Sequence, residues 1–253
     1  MGSMKTVRLS SIGVALLLVG ISAAEHRDAK AVEIAARMMK AMGGQEAWAK
    51  ARYVRFDFRL MDNGAAKFGR SHLWDKSTGK YRLDSKSKDG KPSVTLMNLA
   101  DQKGSVFIDG KKLEGDAAAK ELKEAYSAYI NDFYWLAMPW KWMDPGVNLK
   151  YAGAKPCKSG ACDVVELSFG KVGLTPGDRY QAFVNPKTGL MEHWEYTLQS
   201  GNKGAWDWEY TTTGGVMLAS NHTDGKGKAL HMGTVQIVDT VDAAVFDDAR
   251  KPI

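Results

Sequence analysis

The stretch Tyr53-Val54-Arg55-Phe56-Asp57-Phe58-Arg59-Leu60, closed by Asp62-Asn63-Gly64, decides the fold class of this chain. Val54, Phe56, Phe58 and Leu60 alternate with Tyr53, Arg55, Asp57 and Arg59. A period of two marks a strand with one buried face. Asp-Asn-Gly then supplies a tight hairpin turn. The pattern repeats outward. Strand-like runs at 67–75, 80–85, 93–100 and 104–108 are separated by Ser77-Thr78-Gly79, Lys88-Asp89-Gly90 and Asp109-Gly110. Further runs follow at 147–151, 163–169, 179–184, 190–199, 205–211, 216–222 and 234–240.

Two helical segments break this alternation. Over 28–42, Val32, Ala35, Ala36, Met39 and Met42 recur at three and four, and Gly43-Gly44 supplies the stop. A short helical piece at 45–51 carries Trp48. Asp116 opens the second helix, with Leu122, Ala125, Tyr126, Tyr129, Ile130 and Phe133 on one stripe. No Pro/Ser-rich linker or charge block intervenes. Hairpins with one helix in front and one in the middle predict a single antiparallel α+β domain over 25–253.

At the amino terminus, Lys5 and Arg8 precede an uncharged run over 12–21 and then Ser22-Ala23-Ala24. These are the parts of a secretory signal peptide. The run is shorter than the ~20 residues of a spanning helix. Cleavage after Ala24 is expected, with Met1-Gly2-Ser3 ahead of Met4 a cloning remnant. Ile21 stands where a lipoprotein would carry its acylated Cys, so a soluble periplasmic protein is expected. The 253 residues, 44% hydrophobic, suffice for one sizeable core or two small ones. The net charge of +6 is too small and too interleaved to mark a nucleic-acid partner. The only cysteines, Cys157 and Cys162, flank a Ser-Gly turn. In an oxidising compartment a disulfide across that hairpin is favoured over a metal or redox site.

Three stretches carry a resemblance: Met42-Gly43-Gly44-Gln45-Glu46-Ala47-Trp48; Ile130-Asn131-Asp132-Phe133-Tyr134-Trp135, on through Asp144-Pro145-Gly146-Val147; and Val172-Gly173-Leu174-Thr175-Pro176-Gly177-Asp178-Arg179-Tyr180. Together with the element order they resemble the LolA/LolB-like superfamily, periplasmic carriers of lipoproteins and related lipid-handling proteins. The likeness covers nearly all of the mature chain at the level of architecture. It implies an antiparallel open (half) β-barrel of about ten strands, with helices lidding an apolar cavity on the concave face. It implies cavity-type binding, and lipoprotein carriage itself is not implied.

Five aromatics fall within residues 133–142, where a helix gives way to Asp144-Pro145-Gly146. Rings crowded at such a boundary either plug the end of a core or line the mouth of a cavity. The candidate ligand-facing set is Trp74, Phe133, Trp135, Met138, Trp140, Trp142, Trp194, Trp206 and Trp208, to which Asp132, Arg179 and His193 add polar groups. Asp132 reads as a hydrogen-bond anchor among the rings or as a cap for the following turn. Arg179 reads as a guide for an anionic head group or as a clasp for its own turn. His72 and His193 could meet across the sheet beside Asp57 or Glu195. No nucleophile elbow, phosphate loop, dinucleotide fingerprint or metal-type His spacing occurs, so no catalytic residue, metal or cofactor is predicted. The expected function is periplasmic binding or carriage of a hydrophobic or amphipathic ligand, with transient contact to a membrane or membrane protein. The rivals are an exported enzyme with a His–carboxylate pair and a protein-interaction module of the cell envelope.

Overall fold

The computed structural model describes residues 25–253, and the export segment expected at 1–24 lies outside them. Fourteen strands form one sheet among these residues, where about ten were expected. The first meander holds β1 (Tyr53–Asp62), β2 (Ala65–Asp75), β3 (Lys80–Lys86), β4 (Pro92–Asn98), β5 (Gly104–Ile108) and β6 (Lys111–Lys112). The second holds β7 (Val147–Cys157), β8 (Gly160–Phe169), β9 (Arg179–Val184), β10 (Met191–Thr197), β11 (Lys203–Thr213), β12 (Val216–Thr223), β13 (Lys228–His231) and β14 (Val235–Val238). The unforeseen β6 and β13 are two and four residues long, too short for a period to show.

The order across the sheet is β6-β5-β4-β3-β2-β1-β13-β12-β11-β10-β9-β8-β7. The chain walks out from β1 to one edge, crosses to the far edge, and walks back to lie beside β1. All ladders are antiparallel. β6 and β7 do not pair with each other, so the sheet stays open. β1 takes two partners on its inner edge: β13 opposite Arg59 to Asp62, and β14 opposite Tyr53 to Phe56. The crossing is made by α3 (Gly115–Ala137), whose 23 residues reach about 34 Å at 1.5 Å per residue. It ends in a 3-10 turn at Met138–Lys141. α1 (Ala29–Ala41) and α2 (Gly44–Lys50) join it on the concave side.

One stripe of α3 is buried: Ala125, Ala128, Tyr129, Asp132, Phe133, Leu136 and Ala137. The bulky members lie toward its carboxyl end and meet the sheet through Trp74, Tyr81 and Leu83. Toward its amino end the buried members are only alanines. Alanines in place of Phe and Tyr leave space unfilled between the helix and the sheet on that side, and that space is the trough described next. The free edge of β7 is shielded where it begins. Leu149 donates to the His26 carbonyl and accepts from the Asp28 amide, both at 2.9 Å. Beyond Tyr151 the ladder is bulged around Gly153 and Pro156 follows, which blunts the remaining edge. Cys157 and Cys162 are bonded at the tip of the β7–β8 hairpin, with Cα atoms 5.8 Å apart.

Candidate functional site

The aromatic residues singled out above share one interior. Phe133, Met138, Trp140, Trp142, Trp194, Trp206 and Trp208 are buried, and Trp74 and Trp135 pack half-exposed against them. The rings interlock. Trp135 stands edge-on to Trp194 at 4.8 Å and to Trp206 at 5.4 Å, and Trp194 meets Trp208 at 5.6 Å. Trp48 stacks on Trp140 at 5.2 Å, while Phe133 meets Trp74 edge-on at 5.1 Å. Trp140 donates its indole N–H to the Met217 carbonyl at 2.9 Å. In this arrangement the rings fill the region between α3 and the second meander with one another.

His222 belongs to the same cluster, although its sequence gives it only a place in a strand and the expectation of a solvated or neighbour-bonded imidazole. Its ring lies 4.3 Å from Trp208 and 5.2 Å from Trp135, fully buried. Neither ring nitrogen makes a well-aligned hydrogen bond to a described residue, although the Trp135 backbone lies close enough to favour the charged form slightly. Burial pushes its pKa down to about 3.

The other polar candidates are spread apart. His193 projects from the outer face of β10, half-exposed, with Nδ1 2.7 Å from Asp207 Oδ1. His72 points inward from β2. Five strand intervals, about 24 Å, and opposite faces separate the two, so the expected meeting of His72 and His193 does not occur. Arg179 is exposed and donates Nη1 to the carbonyls of Asp178 at 2.8 Å and Pro176 at 3.3 Å. It therefore clasps its turn through backbone, while the Asp178 carboxylate turns inward to Thr175, Tyr180 and the Gln199 amide. Arg179 also borders a recess of about 900 Å³ shared with Glu166, Gln181 and Glu195.

Asp132, which its position left open as anchor or turn cap, faces side chains of β2. Fully buried on α3, it receives Arg70 Nη2 and Asn131 Nδ2 on Oδ1, both at 2.8 Å. Its Oδ2 lies 2.8 Å from Arg70 Nε and 3.0 Å from His72 Nε2, both short but poorly aimed. His72 Nδ1 stands 2.7 Å from the Tyr81 hydroxyl. Burial lowers the His72 pKa and raises that of Tyr81. Neutral His72 with its proton on Nε2 would face the carboxylate as donor and accept the Tyr81 hydroxyl at Nδ1. The group ties α3 to β2 and β3.

Arg70 leads from this tie into the trough. The space measures about 750 Å³. Leu83, Ser85, Ser93, Thr95 and Arg70 form its floor, and Ala125 and Ala128 of α3 its roof, with Glu121 and Glu124 toward solvent. Arg59, Lys67 and Phe68 line it from the β1–β2 end, and Lys86 and Lys88 from the β3–β4 hairpin. Phe68 is 43% exposed, one of three large apolar side chains left so far in water among the described residues. The Arg70 guanidinium carbon sits over two adjacent rings, 5.1 Å from Phe68 and 5.5 Å from Phe58. The volume falls within the ~300–1,000 Å³ of small-molecule sites.

Neither a family model nor a curated protein matches the sequence. Solved structures with a similar fold include a DUF1329 family protein from Desulfovibrio piger, with TM-score 0.46, 10% identity, and coverage of 87% of this chain and 97% of that one. The LolA superfamily protein NE2245 from Nitrosomonas europaea gives TM-score 0.45 and 13% identity over 80% and 96%. A putative outer membrane lipoprotein-sorting protein domain from Vibrio parahaemolyticus gives 0.42 and 10% over 86% and 96%. These are likenesses of fold. The open antiparallel sheet with helices across its concave face, set out above from its own topology, is the LolA-like arrangement that the resemblance implied.

Proposed function

We propose that this chain is an exported, periplasmic binding protein that holds a small amphipathic molecule in the trough between α3 and the concave face of β2–β4. The observation that carries the reading is the trough itself, 750 Å³ of space roofed by two alanines and lined by apolar and cationic side chains together. Removing an apolar tail from water there would supply about 25 cal/mol per Å² buried. The ring cluster around Trp135, Trp194 and Trp208 serves as the rigid buttress of the site, holding the carboxyl half of α3 against the sheet. Asp132 acts through Arg70, and Arg179 and His193 lie outside the site. Acid–base catalysis is the weaker reading, because His72 and His222 are sealed from any substrate.

The test is uptake of a fluorescent fatty acid, with native mass spectrometry of protein recovered from the periplasm. Ala128→Trp fills the trough from its roof. Uptake by the parent chain and its loss in Ala128→Trp, at an unchanged thermal midpoint, is the expected result. A parent chain that takes up no acyl probe and carries no lipid from the cell sinks the proposal, as does undiminished uptake by the variant.

A further inference from the structure

Resting on the trough as the binding site, we propose that its ligand carries an anionic head group, gripped by Arg70 together with Ser93 and Thr95. The argument begins with how Arg70 is held. Asp132 engages it along one edge, through Nη2 and the nearby Nε. A guanidinium has five N–H groups. Nη1 makes no hydrogen bond to the described residues, while Arg70 lines the trough. The Phe58 and Phe68 rings, 6.0 Å apart, both pack against one side of the guanidinium. An arginine held by a carboxylate along one edge and by adjacent rings on one side, with donors left over, has already lost much of the side-chain freedom that binding would otherwise remove.

The floor beside it supplies a second observation. Ser93 and Thr95 are 6% and 4% exposed, both line the trough, and neither hydroxyl has a hydrogen-bond partner among the described residues. Neither hydroxyl oxygen is sealed from solvent, so each opens on the trough, where a ligand oxygen can take the place of water. The Arg70–Asp132 pair is neutral as a unit, so it gives direction more than attraction. Attraction comes from Lys86 and Lys88 on the rim, opposite Glu121 and Glu124 on the helix, while Arg59 and Lys67 are paired with Asp57 and Asp62. That asymmetry places an anion on the sheet side, with its tail along Leu83, Ala125 and Ala128. Carboxylate, sulfate and phosphate monoester share this chemistry, and all accept the paired N–H donors of an arginine.

The experiment measures displacement of a fluorescent fatty acid from the whole protein by dodecyl phosphate, dodecanol and inorganic phosphate, each surfactant below its micellar concentration. Dodecyl phosphate is expected to compete at least ten-fold better than dodecanol, and inorganic phosphate not at all at millimolar levels. Ser93→Ala with Thr95→Val should cut that preference several-fold. Replacing the neutral unit whole, Arg70→Gln with Asp132→Asn, should abolish the preference while dodecanol still binds, and it avoids stranding either charge. Equal competition by dodecyl phosphate and dodecanol overturns the head-group inference and leaves the amphipath reading intact. A preference unchanged in both variants also overturns it. Inorganic phosphate competing as well as dodecyl phosphate would keep the anion site and overturn the tail. Failure of every alkyl probe would instead overturn the function on which the inference rests.

Discussion

His222 is the residue whose burial has the clearest cost in acid. Its folded-state pKa, about 3, lies below the ordinary value of 6.5, so the unfolded chain binds its proton first as pH falls. Stability is therefore full above pH 6.5 and is lost on the way down toward 3. The loss from this one group is at most about 1.4 kcal/mol per pH unit. Buried His72 is shifted the same way and adds to it. His222→Phe keeps a flat ring between Trp135 and Trp208 and removes the titration. Urea melts between pH 6.5 and 4.5 should show a shallower decline in the variant than in the parent, and an identical slope would refute the assignment. Asp132 was legible as an anchor because a lone carboxylate in a run of rings has to find partners. Its main partner, Arg70, was overlooked although period two puts it on one face with His72 and inward-facing Trp74. His222 had no such signal, since nothing local distinguishes a buried imidazole from a solvated one.

Among elements, α3 was read almost whole from the spacing of Leu122 to Phe133, and β1 to β5 from alternation. The rings of residues 133–142 proved to be the last helical turn and the 3-10 turn after it, so they close a core in the present arrangement. Which of the two sequence readings holds at a ring cluster depends on what faces it from strands far away along the chain. Gly43, joining α1 to α2, has a sharper consequence. Its φ of +110° is one that side chains rarely adopt, and a Cβ there would sit 2.2 Å from the Gly215 carbonyl oxygen. The β11–β12 turn abuts this joint, where the Met217 amide bonds to the Met42 carbonyl at 2.8 Å. Gly43→Ala should therefore cost at least about 2 kcal/mol, left-handed strain and backbone clash together. Chemical denaturation checks it, and an unchanged midpoint would mean that the joint yields without cost.

For the molecule as a whole, alternation revealed the meanders but not their order. That order rests on pairings between residues 53–62 and 228–238, which no local pattern encodes. The open edges were foreseen from the resemblance, and the placement of the first and last strands side by side at the centre was not. Ending the chain after Asp224 removes β13 and β14 and leaves β1 and β12 each with a bare edge in mid-sheet. Such a chain should elute as aggregates in gel filtration, whereas a monomeric, fully cooperative fold would contradict the topology. The timing of synthesis follows from the same placement. Because β13 and β14 follow every other strand in sequence, the two halves cannot join until that segment has been made, and refolding should be slow. A polypeptide threaded through a membrane before that moment would have no completed sheet to dismantle.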